Sequence, residues 1–149
     1  MGREERAAAL FNEGYNCAQA VVLAFSDLFE EDEQTLATAV SGFGGGFSRM
    51  REVCGAVSGM TYVLSRLFGY SDPKDTDAKM HTYDIVRSAC QKFEAQFGSI
   101  VCRELLGLKQ KSDEPTPSPR TEEYYHRRPC GEYVAIAARI LGQKINEMG

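Results

Sequence analysis

Five cysteines, Cys17, Cys54, Cys90, Cys102 and Cys130, are the residues of this chain best equipped for chemistry, because a thiolate is both a nucleophile and a soft metal ligand. No two of them form a Cys-x-x-Cys pair. Neither a thioredoxin-like dithiol nor a paired zinc knuckle can be read from such spacing, so any joint site must be assembled by the fold. Cys17 follows Asn16 and Cys130 follows Pro129, residues that suit helix starts, where backbone N–H groups and the macrodipole stabilise a thiolate. His126, Arg127 and Arg128 precede Cys130 and add positive charge that lowers a thiol pKa further. Cys130 is therefore expected to react first and Cys17 next. Arg51 before Cys54 and Arg103 beside Cys102 act similarly if they face those thiols. Cys90, bracketed by Val86 and Phe93, reads as a small buried core residue.

The other candidates carry less. His81 and His126 form no His-x-x-x-His arrangement and read as surface or helix-face residues. The run Gly42-Phe43-Gly44-Gly45-Gly46 could cradle an anion, but it lacks the Gly-Lys-Ser/Thr ending of a nucleotide loop and reads as packing around a site. Glu30-Glu31-Asp32-Glu33 reads as a solvated turn and helix start.

The elements that must position these groups follow from apolar spacing. A helix over Arg3–Glu13 ends at Gly14. Asn16 caps a second helix reaching about Phe29, with Ala18, Val21, Val22 and Phe25 on one face. A short helix over Glu33–Val40 precedes the glycine loop. Ser48 then caps a long helix to about Phe68, whose buried stripe of Met50, Val53, Cys54, Val57, Met60 and Leu64 places Cys54 in mid-helix, as a resolving or structural thiol. Gly55 and Gly59, four apart on that helix, predict the close approach of a neighbouring element. The next helix reaches Phe97 with Met80, Tyr83, Val86, Cys90 and Phe93 inward, and Gly98 stops it. Ser99 caps a short helix through Cys102 to Gly107, Lys109–Arg120 with its three prolines reads as an exposed, mobile loop, and a last helix begins near Cys130. No stretch shows the two-residue alternation of a half-buried strand. The expectation is an all-α, single-domain bundle of about six to seven helices over residues 1–149.

Size and charge narrow the functions. A chain of 149 residues, 43% hydrophobic, can bury one continuous core. A net charge of -4 argues against a nucleic-acid partner. The best apolar run, Ala18–Phe25, is far short of the roughly 20 residues a membrane span needs. The N-terminus lacks the long apolar region and cleavage site of a signal peptide, so a cytoplasmic location is expected.

Several strings taken together resemble the proteins named for a C_GCAxxG_C_C cysteine pattern: Gly14-Tyr15-Asn16-Cys17-Ala18-Gln19-Ala20, Gly42-Phe43-Gly44-Gly45-Gly46-Phe47, Cys54-Gly55-Ala56-Val57-Ser58-Gly59, Phe97-Gly98-Ser99-Ile100-Val101-Cys102, and Cys130. The resemblance spans nearly the whole chain. It implies that Cys17, Cys54, Cys102 and Cys130 are the four defining cysteines of a redox-active protein and that Cys90 lies outside the pattern. Gly44, Gly45, Gly55, Ala56, Gly59, Arg127 and Arg128 then support the site. Three readings follow. The first is thiol–disulfide exchange by converging cysteines, with no cofactor required, on a redox partner or small-molecule substrate. The second uses the same four cysteines as ligands for zinc or an iron–sulfur cluster. The third is a non-enzymatic helical module, such as a homo-oligomer, with its cysteines in the core. Metal content separates the first two, and thiol reactivity separates either from the third. Cys90→Ala is expected to leave thiol reactivity intact and to cost on the order of 1–2 kcal/mol in urea denaturation. Loss of reactivity with the fold preserved would show that the functional cysteine set includes Cys90.

Overall fold

A computed structural model of the chain describes residues 2–107, 120 and 129–149. Among these residues the chain forms α1 (Arg3–Asn12), α2 (Cys17–Leu23), α3 (Glu33–Ala39), α4 (Gly44–Phe47), α5 (Gly55–Phe68), α6 (Thr76–Phe97), α7 (Cys102–Leu105) and α8 (Cys130–Met148), with single 3-10 turns at Ser26–Leu28 and Ser41–Phe43. The all-α expectation holds, and the one addition is α4, a single turn in the glycine run whose Gly45, Gly46 and Phe47 have left-handed torsions. Lys109 to Pro119, where a mobile loop was expected, lie outside the described residues, as do His126, Arg127 and Arg128. Among the described residues no helix is long and apolar enough to cross a membrane.

Capping fixes where several helices begin. Asn16 accepts a hydrogen bond from the Gln19 amide at 2.9 Å while the Gln19 side chain accepts from the Asn16 amide at 3.1 Å. This reciprocal box satisfies two donors that would otherwise lack partners at the start of α2. Asp32 and Asp75 cap α3 and α6 in one direction only, accepting from the amides of Thr35 and Ala78. Gly98, at φ 88°, closes α6.

The core forms around α2, whose Ala18, Ala20, Val21, Val22 and Leu23 are wholly buried. Helices α1, α5 and α8 pack on it, and α1 also lies along α8. Gly55 and Gly59 do permit a close approach, and the neighbour is α2. A Cβ on Gly59 would stand 2.7 Å from the Ala18 carbonyl oxygen, and one on Gly55 would stand 3.1 Å from the Cys17 Cβ.

Three expected boundaries or faces are corrected. The second helix ends at Leu23, not near Phe29. Arg3 of α1 donates to the carbonyl of Ala24 at 2.9 Å and pairs with Asp27, so an outside donor takes over where the helix would have continued. The fifth helix starts at Gly55, not Ser48, because Gly45, Gly46, Phe47, Ser48, Arg49 and Arg51 all have positive φ and cannot belong to a right-handed helix. On α6 the buried residues are Thr82, Ile85, Ala89 and Phe93, while Met80 and Tyr83 face solvent. The inward stripe is therefore turned from the one expected.

These spacings make opposite predictions for two glycines. Gly59→Ala is expected to cost about 1–3 kcal/mol, because the added methyl meets backbone that cannot rotate away. Gly142→Ala, in α8 with nothing within 4 Å of its Cβ position, is expected to gain up to about 1 kcal/mol of helix propensity. Urea denaturation of both variants checks the signs, and equal effects would show that α2 and α5 are not in tight contact.

Candidate functional site

Four helices open onto one place, and each brings a cysteine. Cys17 is the first residue of α2, Cys102 of α7 and Cys130 of α8, and Cys54 is the residue immediately before α5. All four line a single cavity of about 350 Å³. Cys17 and Cys130 are half-buried, whereas Cys54 and Cys102 are 4% and 8% exposed, so an outer pair lies over an inner one. None of the five cysteines is joined in a disulfide among the described residues. Cys90 lies away from this group, on a separate shallow surface depression.

The inner pair is set by a short stretch of strand-like pairing. The Cys54 amide donates to the Ile100 carbonyl at 2.7 Å and the Cys102 amide to the Glu52 carbonyl at 2.6 Å, around an antiparallel bridge between Val53 and Val101. Two segments far apart in sequence are thereby joined, with Cys54 opposite Ile100 and Cys102 opposite Glu52. The outer pair depends on the α2–α5 contact at Gly55 and on α8 packing against α2. Cys17 and Cys130 thus line the cavity together, from helices that pack on each other.

Burial and helix starts push these thiols in opposite directions. The amides of Ala56 and Val57 face the Cys54 sulfur, without the geometry of a formal side-chain cap, and favour its thiolate. Burial outweighs them and pushes the Cys54 thiol up to about 12. Cys17 is also raised, first by the neighbouring Cys130 thiol, then by burial and the nearby Cys54 and Cys102. Cys17 thus keeps its proton to higher pH than an ordinary thiol. Tyr133, on the cavity wall, is pushed up to about 12 by burial and the adjacent cysteines.

Left-handed backbone shapes the remaining wall. Residues 45 to 49 have φ of 67°, 71°, 63°, 51° and 68°, and Arg51 follows at 59°. L-residues with side chains resist this conformation by roughly 1–2 kcal/mol each, and here Phe47, Ser48, Arg49 and Arg51 adopt it. Backbone bonds from Arg51 to the Gly45 carbonyl at 3.2 Å and from Glu52 to that of Gly46 at 3.0 Å brace the turn. A Cβ on Gly46 would meet the Cys102 Cβ at 2.7 Å, and one on Gly44 would meet the Asn16 side chain at 2.7 Å. Only glycine lets this turn sit against the cysteines.

The turn brings Arg49 and Arg51 to the cavity, where Arg120 also lies. Arg51 is 4% exposed, and its Nη1 donates to the Cys102 sulfur at 3.7 Å. The expectation that Arg51 serves Cys54 is corrected: the pairing of the two segments places it against Cys102. Arg103 is turned instead toward Glu52, at 3.1 Å. Arg120 donates to the carbonyls of Phe11 and Tyr15, both at 3.1 Å. Arg49 and Arg120 went unsuspected in the sequence reading, although an arginine directly after a glycine-rich run was the available signal for the first.

Among the described residues, no three His, Cys, Asp or Glu side chains are arranged to hold a metal ion. The family model described as "Putative redox-active protein (C_GCAxxG_C_C)" matches residues 15–144. No curated protein and no solved structure matches the chain.

The raised Cys54 pKa makes stability depend on pH. Above about pH 9 the unfolded chain releases this proton while the folded chain retains it up to about pH 12, so the fold loses about 1.4 kcal/mol per pH unit from this group alone. Cys54→Ala lacks that loss. The stability gap between wild type and Cys54→Ala is therefore expected to narrow steadily between pH 9 and pH 10.5 in urea denaturation. A gap that stays constant would mean the thiol ionises equally in both states.

Proposed function

The chain belongs to the C_GCAxxG_C_C family, and from that premise we propose that it is a thiol–disulfide oxidoreductase whose working dithiol is Cys17 with Cys130. The observation that carries this reading is that these two half-buried thiols stand at the starts of two packed helices and line the same cavity. Cys130 opens a helix of 19 residues, so backbone N–H groups favour its thiolate, whereas the Cys17 thiol is raised by its neighbour and by burial. Cys130 is then the attacking thiol and Cys17 the resolving one.

The chemistry balances as ordinary exchange. The Cys130 thiolate attacks one sulfur of a substrate disulfide, forming a mixed disulfide and expelling the other half as a thiolate, which takes up a proton. Cys17 then loses its proton and attacks the Cys130 sulfur, forming the Cys17–Cys130 bond and releasing the second half as a thiol. Two protein thiols are oxidised by two electrons and one disulfide is reduced to two thiols. Excess small thiol reverses both steps. No cofactor takes part. Zinc or an iron–sulfur cluster on the same four thiols is the alternative reading, which element analysis and visible absorbance of protein purified without oxygen would decide.

Treatment of the reduced protein with bis(2-hydroxyethyl) disulfide is expected to consume two thiols reversibly, with peptide mass mapping joining Cys17 to Cys130. Cys17→Ser is expected to stop at a mixed disulfide on Cys130, and Cys130→Ser to slow the reaction at least tenfold. A first cross-link between other cysteines, or no loss of thiols from a folded protein, would overturn the assignment.

A further inference from the structure

We infer that the substrate of this dithiol is a small disulfide bearing carboxylates, held in the cavity by the guanidinium groups of Arg49 and Arg51; the inference rests on the redox reading above. Size is the first support. A cavity of about 350 Å³ falls at the lower end of the roughly 300–1,000 Å³ typical of small-molecule sites, which suits a compact ligand and not a folded partner.

Charge is the second. Arg49, Arg51 and Arg120 line the cavity. A guanidinium presents N–H donors in a planar fork that matches a carboxylate in two parallel hydrogen bonds. Helices α5 and α8, of 14 and 19 residues, also direct their N-terminal ends to this space and add to its positive potential. Arg51 sits within 3.7 Å of the Cys102 sulfur. An acid group bound there would lie among the cysteines.

The third support is the backbone. Arg49 and Arg51 are themselves left-handed residues, and they follow a turn that only Gly44 and Gly46 allow against Asn16 and Cys102. Backbone held in disfavoured torsions is characteristic of ligand sites. Here the disfavoured torsions belong to the two residues that bring cations to the thiols.

The test compares three disulfides of similar size as oxidants of the reduced chain: 3,3′-dithiodipropionate, bis(2-hydroxyethyl) disulfide and cystamine, which are anionic, neutral and cationic. Each rate is divided by the rate of the same disulfide with the urea-unfolded chain, which removes intrinsic reactivity. The expected order is anionic, neutral, cationic, with at least a tenfold span that contracts in 0.5 M sodium chloride and in Arg49→Gln. Buried Arg51 risks the fold when replaced, so Arg49→Gln carries the test. Equal normalised rates would overturn the inference and leave the redox reading standing. If none of the three oxidises the folded chain, the redox reading falls, and with it the disulfide half of the inference. Suberate, the sulfur-free isostere of dithiodipropionate, then decides the carboxylate half: a rise in Tm that Arg49→Gln abolishes supports the site, and no rise overturns it.

Discussion

The near-contact of α2 and α5 is the constraint on which the site depends. With no side chain at Gly55 and Gly59, the start of α5 slides against Cys17 and Ala18 until backbone and Cβ atoms touch. That approach brings the Cys17 and Cys54 ends of two helices together. Helix α8 then closes on α2 from another side and brings Cys130 to Cys17. A bulkier residue at either glycine would separate the helices at the very point where the thiols gather.

Electrostatics at the site is a contest between helix ends and desolvation. Each of the four cavity cysteines stands at a helix start, an arrangement that favours thiolates. For Cys54 the contest goes to burial, despite two amides facing its sulfur. Cys17 is held protonated chiefly by its partner Cys130. The same fold thus grades four chemically identical groups by depth and neighbour, which is what a dithiol needs if one member is to attack and another to wait.

Much of this was legible in the sequence. The all-α architecture followed from helical spacing and the absence of alternation, and the four-residue interval of Gly55 and Gly59 announced a close neighbour. The start of α5 was misread because Met50, Val53 and Cys54 continue the apolar spacing of Val57 and Met60 by coincidence, and spacing carries no information about φ. Phe47, Ser48 and Arg49 are ordinary L-residues, so nothing in their identity marks a left-handed turn; only the glycines before them did. The pairing of residues 51 to 54 with 100 to 103 is too short to leave a strand pattern, and so the partnership of Arg51 with Cys102 could not be read from their separation. The turned face of α6 arose because Met80 and Tyr83 are apolar enough to count as core and yet lie where no helix covers them.

The placement of Cys17 near one end of the chain and Cys130 near the other has a topological consequence. A bond between them would enclose most of the chain in a single covalent ring. Closing a loop of about 100 residues removes on the order of 4.7 kcal/mol of freedom from the unfolded state. The same quantity is the advantage that folding confers on bond formation, as a raised effective concentration of one sulfur at the other. At about 30 mV per 1.4 kcal/mol for a two-electron couple, it makes the folded pair roughly 100 mV more reducing than the same two thiols in a loose chain. The stability of such a bond would then reside in the whole architecture that holds α2 against α8, and any change that loosens that packing would make the bond easier to reduce without touching a cysteine.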